Sequence, residues 1–287
     1  MPYKRTTHFG AVLILLATSW LANAQENKGV EILEDVIYGH KAGMALIYDV
    51  FKPEEPNGTA LIFMVSYGWR SPWQPAEQKQ EMFQEYLDRN ITVFNVYHGS
   101  SPQFKVPDAV ADVRRAVRHI RVHAEEYAVD DQKFVAWGYS AGGHLSLMLA
   151  LASDSGDPRA RDPVERASNQ IAAAMAIFPP VDLTDFVGPS DRFPALDFEP
   201  ALAESVSPIF AVSEDDPPIL LVHGDQDRLV DIEHSERIRD ALKNEEVPVH
   251  LEVIEGAGHG FYEEAYHNQY QKAVFKFLEE NEFVEEQ

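Results

Sequence analysis

A β-branched and aromatic run at residues 133–137 leads directly into Gly138-Tyr139-Ser140-Ala141-Gly142, and an apolar helical pattern follows at residues 144–152. Few features constrain a fold more. A strand that becomes a helix within five residues must sit inside a sheet, with the helix packing back across it. The serine at the apex is then held in strained dihedrals, and small residues on either side are needed to clear the turn. The helix also points its free N–H groups and positive dipole end at that serine. The pentapeptide alone is a weak pattern, which any glycine-rich turn could match; its position at a strand–helix junction carries the inference.

The rest of the chain keeps the same rhythm. Strands are predicted at residues 43–51, Ala60–Val65, Thr92–Tyr97, 173–178, 219–222 and Val249–Ile254. Three of them, Ala60–Val65, Thr92–Tyr97 and 219–222, are almost continuously apolar, as expected of strands covered on both faces of a parallel sheet. Amphipathic helices are predicted between them. Residues 74–88 place Met82, Phe83, Tyr86 and Leu87 on one face, and residues 107–125 place Val110, Val113, Val117 and Ile120 there. Residues 232–245 and 262–279 follow suit. The expected fold class is α/β, a mostly parallel central sheet with helices on both faces, with the first strands forming an antiparallel edge. Residues 180–218 break the rhythm with seven prolines and many acids, apart from a short helix candidate at 201–204. So long an irregular stretch in a compact domain reads as a lid inserted over the site.

Composition narrows the rest. The chain has no cysteine, which excludes disulfides, thiolate metal sites and a cysteine nucleophile. Its net charge of −23 argues against nucleic acid and against an anionic membrane surface as partners. At the N-terminus, Lys4 and Arg5 precede an apolar core from about Phe9 to Leu21, and Ala22-Asn23-Ala24 has the small-x-small pattern of a signal-peptidase site. Residues 1–24 are therefore expected to be a secretory signal, and residues 25–287 a secreted or periplasmic catalytic domain. The alternative is a leader retained as a membrane anchor.

A serine hydroxyl needs a base. Doubly wound hydrolases order their triad as serine, acid, histidine. His259 lies in Gly256-Ala257-Gly258-His259-Gly260-Phe261, just after the last predicted strand, where such a sheet places its site. The acid should lie at the end of another strand. The segment Ile219-Leu220-Leu221-Val222-His223-Gly224-Asp225-Gln226-Asp227 offers two carboxylates; Asp227 is preferred as the group that orients the imidazole, and Asp225 as a turn former. His223, Asp225 and Asp227 could also suggest a metal site, but the spacing is loose. His144, on the helix after the serine, is expected to pack or bond locally, and His98, at the end of a central strand, could touch the site.

A tetrahedral intermediate needs two preorganised N–H donors. Ala141 supplies one. The second should come from the loop after Ala60–Val65, which reads Ser66-Tyr67-Gly68-Trp69, so the main-chain N–H of Tyr67 or Gly68 is expected to serve. Tyr67, Trp69 and Trp73 would make one wall aromatic, with Trp69 and Tyr139 as substrate-binding residues.

With these residues laid out, the chain resembles the α/β-hydrolase superfamily over nearly all of residues 30–283. More narrowly, it is similar to exported bacterial hydrolases of the esterase/lipase type, akin to acetyl-xylan and feruloyl esterases. The block Gly138-Tyr139-Ser140-Ala141-Gly142-Gly143-His144 is close to that group's Gly-x-Ser-Ala-Gly-Gly-His, and residues 107–118 and 217–230 are alike too. The departure is Ser66-Tyr67-Gly68-Trp69 in place of a glycine-rich loop. The resemblance implies a serine esterase without metal or cofactor, with Ser140, Asp227 and His259 as triad, acting on a small-molecule or glycan ester. Two other readings share the motifs: a serine exopeptidase of the oligopeptidase type, which would normally need an N-terminal propeller or an anchor for the peptide amine, and an inactive binding domain on the same fold.

Overall fold

The continuous apolar runs conceal an alternation. In β3 (Ala60–Val65) every residue is buried; Ala60, Ile62 and Met64 enter one core layer, while Leu61, Phe63 and Val65 enter the other. Strand β4 (Thr92–Tyr97) divides likewise, Phe94 and Val96 against Val93 and Tyr97. A strand can afford no polar face when helices cover both sides. The computed structural model describes residues 29–285, and the predicted leader lies outside them.

In chain order the elements are β1 (Val30–Lys41), β2 (Met44–Pro53), β3, α1 (Gln80–Leu87), β4, α2 (Val106–Val122), β5 (Phe134–Tyr139), α3 (Ala141–Leu151), β6 (Ala173–Ile177), β7 (Ile219–Gly224), α4 (Glu233–Asn244), β8 (Val249–Ile254) and α5 (Glu264–Glu280). The strands form one eight-stranded sheet in the order β1-β2-β4-β3-β5-β6-β7-β8. Strands β3 to β8 run parallel, and β1 and β2 close one edge antiparallel, as expected. Apolar residues of α2, α3 and α4 fill one face and those of α1 and α5 the other. Helix α3 is buried on every side, which explains its lack of a polar stripe. Among the described residues no helix is long and apolar enough to cross a membrane.

Three elements differ from the sequence expectation. Strand β1 went unpredicted because Glu34 and Asp35 interrupt its apolar alternation; they sit at a register shift between Leu33 and Val36, with Asp35 at φ 57°. The helix expected at 74–88 divides into a 3-10 turn, Ala76–Gln78, and α1. The short helix expected at 201–204 is a pair of 3-10 turns, Pro200–Leu202 and Glu204–Val206. Residues 180–218 are nevertheless well packed: Leu183, Ala195, Leu196 and Val206 join the core layer of α2 and α3.

Candidate active site

Ser140 stands between β5 and α3 at φ 53° and ψ −116°, a conformation that L-residues rarely adopt. Its neighbours show why small residues are required. A Cβ on Gly138 would lie 2.4 Å from the carbonyl carbon of Gly142, and one on Gly142 would lie 2.7 Å from the carbonyl oxygen of Met64 in β3. The turn is thus tight against itself and against the next strand. The Ser140 N–H is donated to the Ile177 carbonyl at 2.8 Å, which ties the apex to β6.

His259 Nδ1–H donates to Asp227 Oδ2 at 2.6 Å. That bond places the proton on Nδ1 and leaves Nε2 of the neutral ring free to accept one. The ring also packs on Phe178, with centroids 4.4 Å apart. Asp227 is held from the other side: its Oδ1 accepts the N–H groups of Leu229 at 2.8 Å and Val230 at 3.1 Å. Burial alone would push its carboxyl up; donors from His223, His259 and those two N–H groups outweigh it and hold the carboxyl far below the usual range. Asp225 has a different task, since its Oδ1 accepts the Gly256 N–H at 2.6 Å and so joins the β7 loop to the histidine loop. His223 lies buried behind the carboxylate, its Nε2 3.4 Å from Asp227 Oδ2 and 2.9 Å from the Val230 carbonyl, and its Nδ1 2.7 Å from Ser235 Oγ.

The loop after β3 corrects one expectation. The Tyr67 N–H is donated to the Arg70 carbonyl at 2.8 Å, and the Arg70 N–H returns to the Tyr67 carbonyl. Gly68 and Trp69 between them have φ of 58° and 59°, the two left-handed residues of a type I′ turn. Tyr67 therefore cannot offer its N–H to an oxyanion. The N–H groups of Gly68 and Ala141 are given to no other group among the described residues, and both residues border one cavity with Ser140. Trp69 is buried in that cavity's wall, its Nε1–H donated to His144 Nδ1 at 3.3 Å. Trp73 is no part of the wall: it is half exposed and bonds Asp35 Oδ1 at 2.8 Å.

Two buried histidines brace this region. His144 also donates from Nε2 to the Val206 carbonyl at 2.7 Å, so it links the Trp69 loop to the insertion rather than bonding locally. His98 contacts the site only through Ser66, whose hydroxyl donates to its Nε2 at 3.0 Å while Nδ1–H bonds the Gly99 carbonyl. Burial pushes both imidazoles down to about 4, so both are neutral.

Two cavities share Ser140. The larger, about 310 Å³, is bordered by Tyr67, Met82, Tyr139, Phe178, His259 and Tyr262, among others. Tyr139 is thus in the wall, and its hydroxyl donates to that of Tyr270 at 2.9 Å. The smaller, about 100 Å³, lies between Gly68, Trp69 and Ala141 on one side and Leu183, Phe186, Phe193 and Leu196 of the insertion on the other. Phe178 and the insertion's residues escaped the sequence reading because they reach Ser140 from distant segments; Met82 read as core for the same reason.

The sequence model of the BD-FAE family matches residues 48–242, more than half of the chain. The chain belongs to the BD-FAE family. A second model, described as TAP-like protein, matches residues 202–285. This BD-FAE member is 28% identical over 73% of its length to "Probable carboxylic ester hydrolase LipM" of Mycobacterium tuberculosis, of which it covers 51%. It is 27% identical to "Esterase LipC" of the same organism, over 79% of its own length and 59% of that protein. The chain spans about half the length of these curated relatives. Among solved structures, the propionate-bound esterase Est2 of Thermogutta terrifontis superposes with a TM-score of 0.75 at 27% identity, covering 90% of this chain and 97% of that one. The same esterase phosphorylated by paraoxon gives 0.73. The BD-FAE chain therefore has the α/β-hydrolase fold.

Proposed function

We propose that the protein is an exported serine esterase that hydrolyses carboxylic esters, with short acyl or aryl groups and carbohydrate esters among its substrates, through an acyl-enzyme. One observation carries the reading: Ser140 at a strained strand–helix turn shares a cavity with a histidine whose Nδ1–H is held by a buried carboxylate. His259 Nε2 takes the Ser140 hydroxyl proton as Oγ bonds the ester carbonyl carbon. The N–H groups of Gly68 and Ala141 receive the oxyanion. His259 then passes its proton to the alkoxy oxygen, the carbon–oxygen bond breaks and the alcohol departs. Water enters, gives a proton to His259 and its oxygen to the acyl carbon; the acid leaves and Ser140 recovers its proton. Residues 1–24, read as a leader, support export.

The test is turnover of a short-chain 4-nitrophenyl ester by wild type and Ser140→Ala, assayed in the periplasm, medium and cytosol of expressing cells. Loss of at least about 10³-fold in kcat is expected from the substitution. Equal activity in the two proteins would sink the serine mechanism; activity confined to the cytosol would count against export.

A further inference from the structure

In the tetrahedral adduct the former carbonyl carbon carries Ser140 Oγ, the oxyanion, the acyl chain and the alkoxy oxygen. The oxyanion is directed to Gly68 and Ala141. The alkoxy oxygen must lie beside His259 Nε2 to receive its proton, and an alcohol attached there extends into whichever cavity His259 borders. That is the larger one; His259 is absent from the smaller. The acyl chain is left with the opposite direction, between the oxyanion loop and the insertion.

We infer that the smaller cavity is the acyl site and that Phe193 of the insertion sets its length, while the larger aromatic cavity takes the alcohol; this rests on the ester-hydrolase reading above. An apolar cavity of about 150 Å³ holds a benzene ring, so about 100 Å³ suits roughly three or four carbons beyond the carbonyl. Acetyl to butyryl chains are expected to fill it, and octanoyl to extend past it. Phe193 stands close: a Cβ on Gly68 would come within 2.9 Å of its Cδ1. The ring thus lies on the oxyanion loop itself, and Leu183, Phe186 and Leu196 complete a mostly apolar wall in which His234, its Nδ1 accepting the Val181 N–H at 3.2 Å, is the one titratable side chain. The alcohol side differs in kind. Tyr67 and Tyr262 stand at its rim, Tyr262 with 94% of its surface exposed, as suits the flat face of an aryl or sugar ring.

The experiment compares kcat/KM for 4-nitrophenyl acetate, butyrate, hexanoate and octanoate, and for ethyl butyrate, in wild type, Phe193→Ala and Tyr262→Ala. Wild type should peak at butyrate or shorter. Phe193→Ala should raise the octanoate-to-butyrate ratio by about tenfold or more and leave the ratio of 4-nitrophenyl to ethyl butyrate within about twofold. Tyr262→Ala should do the reverse. Phe186→Ala, at a half-exposed position in the same wall, repeats the first result should Phe193→Ala not fold. An unchanged chain-length profile, or a shift in alcohol preference from the Phe193 or Phe186 change, overturns the assignment alone. Wild type inert towards every ester overturns the hydrolase reading and this inference with it.

Discussion

Asp227 shows how much of this site is set by single atoms. One carboxylate oxygen serves His259 and the other serves two backbone N–H groups of its own loop, so the side chain has no rotamer freedom left. In Asp227→Asn an amide replaces the anion, the histidine loses the partner that selects its tautomer, and kcat should fall by about 10³- to 10⁴-fold, with KM and circular dichroism little changed. Asp225→Asn, whose side chain bonds the Gly256 N–H among the described residues, should cost less than about tenfold. Steady-state kinetics on the pair decides the assignment; a larger loss from Asp225→Asn would reverse it. The places of Ser140, Asp227 and His259 after strand ends were legible because each follows a strand in a local pattern. The choice between Tyr67 and Gly68 as donor was not, since it hangs on a hydrogen bond across a turn whose type the residue names do not specify.

At the scale of elements, the strand–helix turn is the least tolerant part of the chain. In Gly138→Ala the new methyl would meet backbone on α3, which cannot rotate away as a side chain could. We expect a loss of about 4 kcal/mol, or about 10 °C in melting temperature, measured by thermal unfolding followed at 222 nm; a melt within about 2 °C of wild type would mean that the turn relaxes. The insertion at 180–218 is the opposite case. Its prolines start 3-10 turns at Pro194, Pro200 and Pro208, so the segment follows neither the helical nor the strand period. Its irregularity was visible in the sequence. What it touches was not, because its contacts with α2, α3 and the oxyanion loop join residues far apart in the chain.

At the scale of the molecule, burial of neutral histidines couples stability to pH. His98, His119 and His144 are each pushed down to about 4, mainly by burial. Their unfolded forms take up protons near pH 6.5, so between about 6.5 and 4 the unfolded chain binds more protons than the folded one. Stability is then complete above pH 6.5 and falls with acidification, by up to about 3 kcal/mol per pH unit from the buried His98 and His144, with a smaller, solvent-screened share from the partly exposed His119. Asp49 and Asp112, whose carboxyls burial pushes up, oppose this at the lower end. Urea unfolding at pH 7.0, 6.0 and 5.0 should show a steep fall that His144→Gln makes shallower; a flat profile across that range would contradict the burial of neutral rings.

The parallel sheet, its antiparallel edge and the turn at Ser140 followed from residue patterns alone, because periodicity and turn sterics act over a few neighbouring residues. The N–H groups left without a partner at Gly68 and Ala141 among the described residues, the ring behind His259 and the division of space around Ser140 did not. They depend on which distant segments come to lie together, and that is settled by packing: β6 brings Phe178 to His259, and the insertion brings Phe193 to Gly68. The candidate residues are thus marked locally, and the shape of the space around them arises from long-range contact.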